Sequence, residues 1–149
     1  MNSIEKNNQE HQYVAWLYMT SAFTLVLGGF IYLLMRDKSL VMFRWAESIN
    51  LIYILDLLRD SISPSFCPNW LKYSLPGGLW LSSYIVLMNL VWIKQERRLR
   101  MVWVLFLPIF AILSEVSQLY GIIPGTFDYV DIFFYIIPVI LYLSYEIKH

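Results

Sequence analysis

From Tyr13 to Met35 the chain runs for 23 residues without a single charged side chain. As a helix rising about 1.5 Å per residue, that run is about 34 Å long, enough to cross a hydrocarbon core of about 30 Å with some tilt. Tyr13, Trp16 and Tyr18 lie near one end and Tyr32 near the other, where amphipathic rings prefer to sit. A soluble domain of this size would need enough polar residues to wrap such a segment, roughly 25% charged. Here only 15% of 149 residues are charged and 58% are hydrophobic. The fold class expected is therefore all-α, a polytopic bundle of membrane helices. Met1 to Gln12 is polar and lacks the basic start of a secretory signal, and no small-residue cleavage site follows the apolar run. It reads as a mobile or interfacial tail ahead of a retained first helix.

Three further spans are expected, at residues 75–93, 101–119 and 130–145, so that residues 1–149 form one membrane domain with four crossings. Pro76 suits the first turn of the second span, and Pro108 should kink the third. Ser82, Ser83 and Asn89 should face protein, because an unpaired polar group in hydrocarbon is costly. Ser21 and Gly28 put small residues on one face of the first span, which favours close helix contact. Residues 40–62 mix apolar positions with Arg44, Glu47, Asp56, Arg59 and Asp60, and the longest uncharged piece is too short to span. One or two interfacial amphipathic helices fit that pattern; a tilted crossing with Arg44 and Glu47 paired is the alternative. Ser63 to Asn69 holds two prolines and breaks any helix. The loop from Lys94 to Arg100 carries four basic residues and is the strongest cytoplasmic signal. Four spans then put both termini inside and residues 36–74 outside. Orientation and anionic lipid account for this basic turn, so no nucleic-acid partner is implied. Cys67 is the only cysteine, which excludes an intramolecular disulfide and a multi-thiolate zinc site.

The polar residues that stand out lie between the last two spans. Glu115 and Gln118 are spaced i, i+3, and so are Asp128 and Asp131, which places each pair on one helix face. Gly121 to Thr126 between them reads as a helix stop, a turn and an N-cap, either Thr126 or Asp128. A capping role explains the aspartates structurally, since carboxylates in a first turn are favoured by the helix dipole. Glu115 sits about one and a half turns inside its span, where an ionisable group faces a cavity or a partner. Converging carboxylates would suit a divalent cation or acid–base work on a phosphate-bearing lipid head group. Yet no histidine lies within a span, and no nucleophile elbow or phosphate loop is present. His11 and His149 are terminal. No resident cofactor is implied.

The run E-x-x-Q, a turn, then F-D-x-x-D-I-x-x-Y over Glu115 to Tyr135 resembles the C-terminal signature of the VanZ-like family, small bacterial membrane proteins named for a teicoplanin-resistance protein. Pro76 and Leu79-Trp80 are similar to the start of a preceding helix in some members. The resemblance covers the last half of the chain. It implies a multi-pass protein of the bacterial cytoplasmic membrane, with Glu115, Gln118, Asp128 and Asp131 forming a polar pocket at the outer face. Such a pocket would bind a lipid head group or bear on antibiotic susceptibility, without established catalysis. Two rivals stay open. One is an intramembrane enzyme acting on a lipid-linked phosphate, with Glu115, Asp128 and Asp131 as metal or acid–base groups. The other is a non-catalytic subunit of a larger membrane complex, docked through the small-residue face of the first helix.

Overall fold

A computed structural model of the chain describes residues 3–61 and 67–148. Those residues form seven α-helices and no strand: α1 (Ser3–Met35), α2 (Val41–Ser48), α3 (Ile52–Ser61), α4 (Asn69–Tyr73), α5 (Leu75–Val91), α6 (Arg97–Leu119) and α7 (Tyr129–Lys148). Three stretches are long and apolar enough to cross a membrane, His11–Met35, Arg97–Leu119 and Tyr129–Ile147. The fourth expected span, residues 75–93, is a shorter apolar helix of 17 residues that stops at Val91. The polar tail is not separate from α1. Its Glu, Asn and Gln side chains tolerate helix, and a helix already nucleated in the apolar run extends through them at little cost. Residues 40–62 resolve into α2 and α3, of 8 and 10 residues, neither long enough to cross. They are joined at Asn50, whose φ of 58° lets the Leu51 N–H reach back to Ala46 O and its own N–H to Glu47 O, a Schellman stop built on asparagine. Part of the expected break from Ser63 to Asn69 lies outside the described residues; Pro68 precedes the first residue of α4. Pro108 and Pro138 both sit inside continuous helices, and only the first drew notice in the sequence.

The short helix α5 is the centre of the bundle and packs against α1, α6 and α7. Its contact with α1 is close and polar. Ser21 Oγ donates to Ser83 O at 3.0 Å, Ser83 Oγ donates to Ser21 O at 2.8 Å, and both hydroxyls are buried. One helical turn pair further along, a Cβ on Gly28 would lie 2.7 Å from the Trp80 ring. Ser21 and Gly28 of the small-residue face of α1 thus pack against α5. On its other side α5 meets α7 through glycine: a Cβ on Gly78 would stand 2.9 Å from Phe134 Cβ and 3.0 Å from Phe134 O. Ser83 and Asn89 are buried as expected, and Ser82 returns its hydroxyl to Gly78 O at 2.8 Å.

Outside this polar centre the molecule is greasy. Trp16, Phe23 and Val26 on α1 and Val102, Phe106 and Phe110 on α6 are all more than half exposed. Apolar side chains outward and serines inward is the arrangement that lipid, not water, stabilises. Ions gather at the two ends. At one end Glu146, only 4% exposed, accepts from Arg97 Nε at 3.1 Å and from Arg100 Nη2 at 2.8 Å, tying the start of α6 to the end of α7. Tyr13 also donates to Tyr145 Oη at 2.9 Å there, joining the first helix to the last. The helices α2, α3 and α4 and the α6–α7 turn lie at the opposite end, so the basic loop shares its end with both ends of the described chain.

Replacing Gly28 with alanine forces a methyl into the Trp80 ring and should cost about 1–3 kcal/mol. At the neighbouring Gly29 an added Cβ meets only Met42 Cε at 3.6 Å, so alanine there should be nearly neutral. Thermal unfolding of the two variants in mild detergent, followed by circular dichroism, tests this contrast.

Candidate functional site

The corner between α6 and α7 is shaped by three local devices. The first is a Schellman stop: Gly121, at φ 66°, places the Ile122 N–H 2.9 Å from Ser117 O and its own N–H 3.0 Å from Gln118 O. This satisfies carbonyls the helix end would leave open. The second is Gly125, at φ 149°, where a Cβ would overlap the Gln118 carboxamide. The turn therefore folds back onto α6 and holds Gln118 in place. The third is Asp128, which opens α7. Its Oδ1 accepts the Val130 N–H at 2.8 Å and its carbonyl accepts the Asp131 N–H at 3.2 Å. Of the two N-caps the sequence offers, Asp128 is the one used.

These devices bring the sequence-predicted residues together. Glu115 is buried, 7% exposed, and points from α6 toward the first turn of α7. Gln118 Nε2 reaches Glu115 Oε1 at 3.5 Å, the outer limit of a hydrogen bond. Asp131 and Asp128 both lie within electrostatic reach of Glu115, and the Asp128 backbone N–H stands beside its carboxylate. Two oxygens in this cluster are buried without any partner, Glu115 Oε2 and Asp131 Oδ1. Among the described residues no ion pair involves Glu115, Asp128 or Asp131. The corner is thus rich in acceptors and short of donors.

The four expected residues do not share one role. Asp128 spends its Oδ1 on the α7 cap, whereas Glu115 and Asp131 keep buried oxygens in reserve. Sequence reasoning missed Tyr135, which lies within electrostatic reach of both Asp131 and Glu115. It also missed Gly77, where a Cβ would come within 3.2 Å of Tyr135 Oη. The signal was available, since Tyr135 follows Asp131 at i+4 and so shares its face. Among the described residues no group of three or more His, Cys, Asp or Glu side chains is arranged to hold a metal ion. Neither a family model nor a curated protein nor a solved structure matches this chain.

Both turn glycines adopt backbone angles that favour glycine, and their alanine variants should separate two effects. Gly121→Ala meets open space and should cost only the left-handed strain, about 1 kcal/mol. Gly125→Ala carries that strain and also displaces Gln118, so its melting temperature should fall further. Detergent-phase melting curves of the pair decide between them.

Proposed function

We propose that the protein is a four-span membrane protein of the bacterial cytoplasmic membrane, VanZ-like in type. On this reading its acidic corner binds a donor-bearing lipid head group at the outer face. The observation that carries the reading is the pair of buried, unpartnered oxygens on Glu115 and Asp131. A buried acceptor without a donor costs on the order of 1–3 kcal/mol, so an ammonium or hydroxyl ligand supplying donors would satisfy these two oxygens. Gln118, held by Gly125, and Tyr135, admitted by Gly77, supply the neutral part of the wall. Support for the fourth crossing comes from α5: 17 residues give about 26 Å of helix, a length that local thinning or flanking aromatic anchors accommodate. Trp92 stacks on Trp103 at 5.3 Å where α5 meets α6, a fitting anchor at that boundary. With the loop from Lys94 to Arg100 inside, the corner lies outside.

Asp128 Oδ1 is committed to capping α7, which favours a binding role over one in which all three carboxylates hold a metal. The assembly-subunit reading would need a contact other than Ser21 and Gly28, which face α5.

Mass spectrometry of the protein purified in mild detergent, with its retained lipids, tests the reading. Glu115→Gln removes the charge and replaces one carboxylate oxygen with an NH2 donor while keeping size and shape, and should lower retained amine- or hydroxyl-bearing lipid about tenfold, the effect of one charge-assisted hydrogen bond. Membrane insertion and melting should stay close to wild type. Unchanged lipid retention in Glu115→Gln would end the proposal.

A further inference from the structure

Where α1 leaves the apolar zone, residues of α1, α3 and α4 border a half-open cavity of about 680 Å³. Four cations line it, Arg36, Lys38, Arg59 and Lys72, against a single carboxylate, Asp37. The Ser39 backbone N–H at 3.1 Å from Asp37 Oδ1 holds that carboxyl below its usual range, with Arg59 and Lys72 adding to the effect. Asp37 is therefore ionised at neutral pH and still leaves the wall positive. Lys38 is neutralised outside the wall by Asp56 at 2.7 Å. The remaining three cations have no carboxylate bonded to them among the described ion pairs.

Their placement is fixed by packing. Arg36 lies 4.8 Å from the centroid of the Tyr73 ring and Lys72 Nζ lies 5.0 Å from the same ring, so one aromatic ring holds both charges by cation–π contact. Arg59 gives Nη1 to Leu33 O at 2.7 Å and to Arg36 O at 2.9 Å. It closes the last carbonyls of α1 this way, and its guanidinium has further N–H donors to offer. Met35 and Leu40 add apolar wall. The span within α1 ends at Met35, so the cavity opens at the level of the head groups. Basic pockets between helices at that depth suit anionic phosphate, and guanidinium with ammonium donors matches its oxygens.

We propose that this cavity is a second binding site, separate from the acidic corner, that takes the phosphate of an anionic phospholipid head group. Inorganic phosphate offers the same chemistry from solution. The site uses none of the corner residues and stands or falls independently of them.

Full-length protein in a neutral maltoside detergent, mixed with chain-matched phosphatidylglycerol or phosphatidylcholine, tests this by native mass spectrometry. Wild type should retain phosphatidylglycerol at least about tenfold better, as expected for several cations acting together on one anion. Arg36→Gln with Lys72→Gln should abolish that preference, whereas Arg98→Gln at the other end of the bundle should preserve it. Glu115→Gln should preserve it too, which separates this site from the corner. Should the double variant fail to fold, Lys72→Gln alone decides, with an expected loss of about threefold. A further arm adds millimolar inorganic phosphate: displacement of phosphatidylglycerol together with an equal rise in melting temperature assigns the site to free phosphate and upholds the shared chemistry. Equal retention of the two lipids by wild type, or a preference unchanged in the variant that decides, would overturn the proposal.

Discussion

Two serine hydroxyls, each donating to the other's backbone carbonyl, hold α1 against α5, and the rest of the bundle is built around that contact. In lipid there is no hydrophobic gain in bringing two apolar helices together, so close packing and interhelical hydrogen bonds must do it. Serine is small enough to let the backbones meet and polar enough to bind them. Gly28 extends the approach toward the Trp80 ring, and Gly77 and Gly78 repeat the device on the α7 side. A helix with small residues on two faces becomes the inner element by necessity. Its own apolar length then matters less, because neighbours cover it.

This explains which parts of the fold were legible in the sequence. The uncharged run from Tyr13 to Met35 announces a span because periodicity is irrelevant when every side faces lipid or a lipid-covered neighbour. The polar pattern of residues 40–62 announces short amphipathic helices, and their break at Asn50 is of a kind that residue type hints at but does not prove. The continuation of α1 back to Ser3 was not legible, since polar composition alone does not distinguish a solvated helix from a loose tail. Nor was the depth of α5, because α5 is short for a span and its ends are set by packing against α1 and α7.

The acidic corner was readable to a similar degree. Paired i, i+3 spacings and the glycines between them predict that Glu115, Gln118, Asp128 and Asp131 face one another, and Gln118, Asp128 and Asp131 each lie within reach of Glu115. The division of labour was not readable: capping is a matter of backbone angles, which place Asp128 at the helix start and leave Glu115 Oε2 and Asp131 Oδ1 unpartnered. The basic cavity was hidden altogether. Arg36, Lys38, Arg59 and Lys72 are scattered over some forty positions, and only the fold through α2, α3 and α4 gathers them. Gathered in space, Arg59 finishes α1, Lys38 pairs with Asp56, and Arg36 and Lys72 share an aromatic seat.

The serine pair also has a bearing on how the chain is made. Ser21 and Ser83 are both synthesised well before α6 and α7 emerge, so the founding contact between helices can close while the last two are still on the ribosome. α5, with its buried Asn89 and its modest length, then packs beside a companion already in place. The later helices arrive at a template, and the tyrosines at positions 13 and 145 lock the newest helix onto the oldest.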